Sequence, residues 1–360
     1  MAKYVRILSI DGGGIKGIIP AQVLIALEDK LKEKTGKKEV HLSDFFDIIA
    51  GTSTGGIIAG SLLIPNKDNT PQYTAHDISN LYLERGPDIF HIPFLHRIKS
   101  LGGLIDEKFP ATGIKKVLSE YFKDKKLSDL IKPSLITAYE FEKQRPFYFT
   151  QIEAKKNDKR NFYIRDVFKS TSAAPTYFEA SQIENINKTE ELAFVDGGVF
   201  ANNPSMCAYV EVYKKFKADN DKPATAEDMV IFSLGTGYQK EKGYKYKQVK
   251  NWGLVRWIRP VISMLMESNS ETVEYQLRNI FDTINAKRSK NKKLQQYFRI
   301  NPDLSNEPPS TMELDNVSPE NLKKLQNIGK KAAEENKSVL DTVVDLLLAE
   351  EKKEVWKVSI

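Results

Sequence analysis

The chain has 360 residues, enough for one large α/β domain or two smaller ones. Its 41% hydrophobic and 28% charged residues are ordinary for a globular protein, and a formal net charge of +6 is too small to indicate nucleic-acid binding, although it suits an anionic surface. One cysteine, Cys207, excludes an intramolecular disulfide and fits a reducing compartment. The longest apolar stretch, 56–65, is far shorter than the roughly 20 residues that span a bilayer, and MAKYVRILSI lacks the features of a secretory signal. We therefore expect a cytoplasmic protein whose contact with membranes is at most peripheral.

Strand-like and helix-like segments alternate up to about residue 240, which predicts an α/β fold with a mainly parallel sheet. The strand candidates are 4–10, 45–50, 134–139, 146–151, 192–195 and 229–234. Four glycine-bearing turns, DGGG, GTSTGG, DGG and GTG, follow such strands. Because ligands of open α/β sheets bind at the carboxyl ends of the strands, we expect the functional site among these turns.

The sequence after about residue 250 has a helical character, with a Ser-Pro-Glu helix start at 318–320. We find no sharp boundary in composition between this region and the first part of the chain. The sequence therefore predicts one domain over 1–360, in which helices at about 250–352 pack on a core of about 1–240.

The first glycine turn, in LSIDGGGIKG, follows a strand and precedes a helix. Gly12, Gly14 and Gly17 fit a dinucleotide fingerprint, but no second strand ends in an acidic residue about 20 positions further on, as that fingerprint needs. A P-loop is excluded because no Gly-Lys-Ser/Thr follows. The N–H groups of Gly12, Gly13 and Gly14 could instead hold an anion, either a bound one or an oxyanion that forms during a reaction.

The second glycine turn has the pattern of a nucleophile elbow. Gly51-Thr52-Ser53-Thr54-Gly55 lies between a buried strand and a helix rich in small residues, and a tight turn of this kind exposes the serine hydroxyl. The alternative is an ordinary glycine turn that contains a serine, because Gly-x-Ser-x-Gly is common by chance.

A serine hydroxyl needs a base nearby, and the usual base is a histidine that follows the serine and the acid. The four histidines are His41, His76, His91 and His96, so no histidine lies in the last 264 residues. This order excludes a histidine triad of the α/β-hydrolase type. Asp196, at the end of a strand and before Gly197 and Gly198, is the remaining candidate base, and the alternative is a simple turn aspartate.

These motifs, together with the segment SAAPTYF at 172–178, resemble those of the patatin-like phospholipase family. The stretches LSIDGGGIKGIIPA, FDIIAGTSTGG, FSLGTG and WGLVRW are similar to plant-type patatins, so the resemblance covers most of the chain. It implies a three-layer α/β/α lipid acyl hydrolase, with catalysis in the first 240 residues and no metal or cofactor. It further implies Ser53 as nucleophile, Asp196 as base and Gly12–Gly14 as oxyanion hole. The supporting motif positions are Asp11, Gly17, Gly51, Thr54, Gly55, Gly197 and Gly198.

The substrate implied by the resemblance is a lipid ester, either a phospholipid or a glycolipid. Two other functions stay open at this point. An actin- or hexokinase-like ATPase also places Asp-Gly-Gly turns around phosphates, and a non-catalytic lipid-binding protein could share the fold.

Two segments combine large apolar residues with basic ones, as a membrane-facing surface would. They are 88–104, DIFHIPFLHRIKSLGGL, and 252–260, WGLVRWIRP. Half-burial, with the arginines extending to water, is the favoured interpretation of either segment taken alone. The basic run at 287–293 is expected to be a solvated loop.

Overall fold

The structure is a computed structural model that describes residues 4–90, 109, 112–218, 220–240, 243–288, 294–349 and 356–358. Its central sheet has eight strands in the order β5-β6-β3-β2-β1-β8-β9, with β4 paired to β3. These strands are β1 Val5–Ile10, β2 Ile48–Thr52, β3 Ser134–Glu140, β4 Arg145–Thr150, β5 Ser181–Glu184, β6 Glu191–Asp196, β8 Met229–Leu234 and β9 Tyr297–Ile300. A separate antiparallel pair joins β7, Phe216–Lys217, to β10, Lys357–Val358.

Helices cover both faces of the sheet. Numbered over the described residues, they are α1 Ile18–Thr35, α2 Thr54–Ser61, α3 Ala75–Ile89, α4 Thr112–Phe122, α5 Gln151–Lys156, α6 Ile164–Thr171, α7 Gly198–Ala201, α8 Ser205–Lys215, α9 Tyr246–Val249, α10 Leu254–Lys287, α11 Pro319–Glu335 and α12 Lys337–Leu348. A short 3-10 helix, Gly14–Gly17, leads into α1.

The central strands are buried on both faces, which explains their continuous hydrophobic sequences. In β1, Leu8 and Ile10 pack with residues of α1, α2 and α11, whereas Val5 and Ile7 pack on the opposite face with residues of α8 and α10. This arrangement gives three layers, α/β/α, and confirms the fold class that the motifs implied. Strands β3, β2, β1, β8 and β9 are parallel to one another.

Strand β3 also pairs in antiparallel with β4 and with β6, and the pairing with β6 brings two strand ends together. Thr52, the last residue of β2, pairs with Thr137 of β3, and Asp196, the last residue of β6, pairs with Ala138. Since β4 occupies the other edge of β3, the strands β2 and β6 share one edge and run toward each other. Their carboxyl ends therefore meet beside the middle of β3.

All six predicted strands are present, with bounds shifted by up to three residues. The sequence predicted helices after about residue 250, and this region also contributes β9, which pairs in parallel with β8 and extends the central sheet. The helices α11 and α12 contribute Leu325, Leu340 and Val344 to the same hydrophobic cluster as α1. The segment 88–104 lies outside the described residues after Phe90, and the basic run 287–293 does so after Arg288.

Candidate active site

Ser53 occupies a sharp turn between β2 and α2. Its backbone has φ 55° and ψ −124°, a conformation that residues other than glycine rarely adopt. The Ser53 N–H donates to the Thr171 hydroxyl at 2.8 Å, and that hydroxyl donates in turn to the Thr137 carbonyl at 2.6 Å. A Cβ on Gly55 would lie 2.2 Å from the Ile10 carbonyl oxygen, so the turn packs against β1 in a way that only glycine allows. Ser53 therefore lies at the tip of a tight strand–helix turn, where the sequence placed it.

The Asp196 side chain meets the Ser53 side chain across the gap between β6 and β2. Both side chains line one pocket, the Ser53 hydroxyl acts to lower the pKa of Asp196, and the Gly198 N–H donates to Asp196 Oδ1 at 2.7 Å. The Asp196 N–H donates to the Ala173 carbonyl, which places the SAAPTYF segment against the end of β6. Burial raises the pKa of Asp196 to about 7, while the hydrogen bonds with Ser53 and Gly198 act in the opposite direction. The carboxyl group is therefore suited to exchange protons near neutral pH.

The first glycine turn lies directly beside this pair. A Cβ on Gly12 would be 3.2 Å from the Ser53 Cβ and 2.5 Å from the Asn202 Oδ1. The Gly12 N–H donates to the Asn202 carbonyl at 3.1 Å, and the Ile15 N–H donates to the Leu314 carbonyl at 2.8 Å. These donors are therefore engaged, which leaves the N–H groups of Gly13 and Gly14 without an acceptor among the described residues.

The orientation of these two N–H groups follows from the carbonyl groups before them. The Gly12 carbonyl accepts from the Thr236 hydroxyl at 2.8 Å, and the Gly13 carbonyl accepts from the Lys16 N–H at 3.2 Å. Because the C=O and N–H of a trans peptide point in opposite directions, the N–H groups of Gly13 and Gly14 point away from Thr236 and Lys16. Gly14, with φ +58°, also lines the pocket that contains Ser53. The orientation of the two N–H groups is therefore fixed by these hydrogen bonds.

A buried ion pair anchors the start of this turn. The Arg299 guanidinium donates to both carboxylate oxygens of Asp11, at 2.7 and 3.2 Å, and also to Glu274 at 2.9 Å. The side chains of Asp11 and Arg299 are only 3% and 2% exposed, so the pair lies in the interior. Asp11 therefore supports the turn through β9, and its carboxylate is not free to act on a ligand.

An apolar pocket opens above Ser53 and Asp196. It has a cavity volume of about 50 Å³ and opens to solvent. Its lining is mostly hydrophobic and comes from α2, α3 and the residue after it, α4, the SAAPTYF segment, α10 and the loop before α11: Ile57, Tyr82, Ile89, Phe90, Ile114, Tyr177, Phe178, Met266 and Leu314. Such a lining is suited to an apolar part of a ligand that lies against the serine.

The remaining motif positions act in packing. A Cβ on Gly17 would be 2.3 Å from the Thr54 hydroxyl oxygen, and one on Gly51 would be 2.1 Å from the Gly55 carbonyl oxygen. A Cβ on Gly197 would be 2.1 Å from the Thr137 hydroxyl oxygen. These glycines let the two glycine turns, β3 and α2 approach each other closely.

Histidines and metal ligands do not contribute to the pocket as far as it is described. His41 and His76 do not line it, and His91 and His96 lie outside the described residues. Within the described ranges, no three His, Cys, Asp or Glu side chains are grouped so that they could hold a metal ion.

Three residues of the site had no recognisable signal in the sequence. Thr171 holds the elbow, Arg299 holds Asp11, and Asn202 holds the Gly12 N–H through its carbonyl group while its side-chain amide donates to Ser270. Each of them reaches the site from a distant part of the chain. Only DGGVFANNPS, which places Asn202 six residues after Asp196, offered any local hint.

Comparison with known proteins identifies the family of the chain. The sequence model of the patatin-like phospholipase family matches residues 8–209, which contain both glycine turns, the SAAPTYF segment and Asp196. The chain therefore belongs to the patatin-like phospholipase family, and this membership supports lipid acyl hydrolase activity at the level of the family.

The relatives extend the similarity over nearly the whole chain. "Patatin-like protein 2" of Arabidopsis thaliana is 33% identical over 90% of this chain and 82% of its own length. "Patatin-like protein 2" of Oryza sativa subsp. indica is 32% identical over 94% of this chain and 86% of its own length. "Patatin-2-Kuras 3" of Solanum tuberosum is 31% identical over 92% of this chain and 84% of its own length.

Proposed function

We propose that this protein hydrolyses the acyl esters of lipids by means of a Ser53–Asp196 dyad, as an esterase of the phospholipase A or galactolipase type. The observation that carries the proposal is the position of Ser53, on a strained turn, beside a buried Asp196 at the base of an apolar pocket. A direct contact between nucleophile and base removes the need for a histidine relay.

In the first half of the reaction, Ser53 Oγ attacks the ester carbonyl carbon while Asp196 accepts the hydroxyl proton. The carbonyl oxygen becomes an oxyanion, and the alcohol leaves when Asp196 returns the proton to its oxygen. In the second half, Asp196 accepts a proton from water as this water attacks the acyl-enzyme, and Ser53 recovers its proton as the fatty acid departs. Throughout, an Asp196 pKa of about 7 allows the proton to move in both directions.

We assign the oxyanion to the N–H groups of Gly13 and Gly14. The motif also implied the Gly12 N–H as an oxyanion donor. This group already donates to the Asn202 carbonyl, so we assign it a structural role. Each donor aimed at an oxyanion in such a site contributes roughly 3 to 4 kcal/mol to transition-state stabilisation. Two fixed donors therefore supply a large part of the catalysis.

The lining of the pocket favours an ester with an apolar acyl chain over a nucleotide. Ile57, Ile114 and Phe178 offer apolar contacts above the serine. The ATPase alternative would place a charged triphosphate among these side chains, and a binding protein would have no use for a strained serine against a buried carboxyl group. The substrate is therefore proposed to be a membrane lipid, taken up by peripheral contact with the bilayer.

The experiment measures fatty-acid release from mixed micelles of phospholipid, and separately from micelles of galactolipid, with EDTA present. Wild type is compared with Ser53→Ala and Asp196→Asn. We expect activity in the wild type and a loss of at least about 10³-fold in both variants, because a dyad fails when either member is removed.

Ser61→Ala is the matched control, since it removes another buried hydroxyl from α2, one whose oxygen makes no hydrogen bond within the described residues. It should keep wild-type activity. If folded wild type, Ser53→Ala and Asp196→Asn are equally inactive on lipids and on simple esters, the hydrolase proposal fails. A thermal-shift test with Mg·ATP then examines the ATPase alternative.

A further inference from the structure

The segment that leads into α10 has an unusual charge pattern. Between positions 243 and 266 the sequence contains five basic residues and no Asp or Glu. The basic residues are Lys245, Lys247, Lys250, Arg256 and Arg259. The chain as a whole has 54 basic and 48 acidic residues, so a stretch of 24 residues without an acidic one concentrates positive charge in one place.

The same segment exposes large apolar side chains, although such side chains are normally buried. Residues exposed by 40 to 77% of their surface are Tyr244, Tyr246, Ile258, Val261, Met264 and Leu265. Ile258, Val261 and Leu265 follow one another at intervals of three and four residues, so they form a stripe along one side of α10. The buried positions of α10, such as Ser270, Val273 and Leu277, begin only after this stripe.

Aromatic rings connect the start of the segment to the helix. The ring of Trp252 lies 4.8 Å from that of Tyr244 and 5.2 Å from that of Trp257, with edge-to-face geometry in both pairs. Both tryptophans are half-buried, as expected from the sequence, but Arg256 and Ile258 are exposed beside them. Among the described side chains, apolar, aromatic and basic ones thus follow one another at the surface, and we call this segment the docking surface (residues 244–265).

The docking surface leads directly to the pocket. Met266, the next residue of α10, lines the cavity above Ser53, and its methyl group would be 3.3 Å from a Cβ on Gly198. The first acidic residue, Glu267, comes only after this point. A lipid held against Leu265 would therefore lie close to the pocket mouth.

We propose that the docking surface binds the surface of a lipid bilayer that contains anionic lipids. The exposed apolar side chains enter the boundary between headgroups and acyl chains, and the basic side chains face the anionic headgroups. The inference rests on the proposed function, because it gives the substrate a route into the same pocket. No helix in the described ranges is long and apolar enough to cross a membrane, so the contact proposed is with the surface.

The test measures binding to sedimented vesicles of phosphatidylcholine with 30% phosphatidylglycerol, in the Ser53→Ala background. Binding in this background does not depend on hydrolysis, so failure of the docking surface and failure of the dyad are separate results. Ile258→Glu/Leu265→Glu should reduce partition onto the vesicles by about tenfold or more, because two charges replace inserted apolar groups. The matched control is Tyr275→Glu, which alters a side chain 70% exposed on the same helix and should keep the partition of the parent.

A second variant tests the charges without adding any to the apolar stripe. Lys245→Gln/Lys247→Gln/Lys250→Gln should weaken partition by about fivefold per charge at low salt, and the parent should lose affinity as salt is raised. Its control is Lys323→Gln/Lys330→Gln/Lys331→Gln, which removes three exposed lysines from α11 on the other face of the sheet and should have little effect.

Two results would overturn the proposal. The first is a parent that does not sediment with these vesicles, or one whose partition is the same after both sets of substitutions. The second is a parent that is dimeric in sedimentation velocity and becomes monomeric with Ile258→Glu/Leu265→Glu while vesicle binding is absent. That outcome would assign the surface to a second copy of the chain.

Discussion

The hydroxyl group of Thr171 lies 2.8 Å from the backbone nitrogen of Ser53 and accepts its N–H. Thr171 is the last residue of α6, and 118 residues separate it from the elbow that it holds. The bond satisfies a donor that would otherwise be buried beside a strained backbone, and it fixes the direction in which the Ser53 side chain points. The position of the proposed nucleophile therefore depends on a part of the chain outside its own motif.

Thr171→Val should disturb the elbow, because valine has nearly the same shape but offers no acceptor. An unpaired buried N–H costs about 1 to 3 kcal/mol, and the misplaced serine should lower kcat/KM by about ten- to a hundredfold. Thr171→Ser is the matched control and should stay near wild type. Denaturant midpoints and hydrolysis of a soluble p-nitrophenyl ester measure both effects. Equal activity of the two variants would show that the hydrogen bond does not position Ser53.

The rate of the reaction should rise with pH through about 7. Asp196 accepts a proton only when it is ionised, and burial raises its pKa to about 7. For a group with this pKa in the free protein, kcat/KM at pH 8 should be about tenfold higher than at pH 6. Initial rates at ester concentrations well below KM, corrected for spontaneous hydrolysis, give the profile. A rate that is constant or falls between pH 6 and pH 8 would exclude Asp196 as the base.

The free energy of unfolding of Asp196→Asn should rise relative to that of the wild type as the pH is raised from 5 to 8. The pKa of Asp196 is about 7 in the folded protein against 3.8 when unperturbed, so the folded state retains a proton that the unfolded state releases. The wild type therefore loses stability as pH rises from about 4 to 7, whereas the variant has no such group. Between pH 5 and pH 8 the free energy of unfolding of the wild type should fall by about 3 kcal/mol relative to the variant. Urea unfolding at both pH values measures this difference, and parallel pH dependences would show that the carboxyl group is not buried as described.

Gly14→Ala separates backbone strain from catalysis when it is compared with Gly36→Ala. Both glycines have positive φ, +58° and +66°, so alanine should cost each site about 1 to 2 kcal/mol. A Cβ at Gly14 would also lie 2.2 Å from the Leu314 carbonyl oxygen and must displace the turn, whereas a Cβ at Gly36 meets nothing within 4 Å. We expect kcat to fall by about 10²- to 10³-fold in Gly14→Ala and to stay unchanged in Gly36→Ala. Similar kcat values in both variants would remove the Gly13–Gly14 peptide from the proposed oxyanion hole.

Local motifs in the sequence indicated where the candidate site lies. The pattern Gly51 to Gly55 predicted an elbow because a tight turn of that kind leaves room only for small residues around the serine. Asp196 was predicted as the base because no histidine follows His96 and because Asp196 lies at a strand end, before a pair of glycines. Their proximity is visible only in the structure, since it depends on β2 and β6 meeting beside β3.

The parts that the sequence could not predict are held by contacts between distant residues. Arg299 pairs with Asp11 across 288 positions, and its strand, Tyr297–Ile300, is too short and too close to a basic run to be recognised by periodicity. The hydrogen bond from the Gly12 N–H to the Asn202 carbonyl likewise depends on the packing of distant parts of the chain. The motif shows that the turn is rich in donors, and only the hydrogen bonds show which donors remain available.

Identification of the acylated residue tests the central claim most directly. Wild type is mixed with a soluble p-nitrophenyl ester, quenched in acid within the first turnovers, digested and analysed by mass spectrometry. We predict one acyl group on the peptide that contains Ser53, its absence in Ser53→Ala, and a strong decrease in Asp196→Asn. An active enzyme whose acyl group lies on another residue, or that hydrolyses the ester without acylating Ser53 at any time in the quench series, would contradict the proposed dyad.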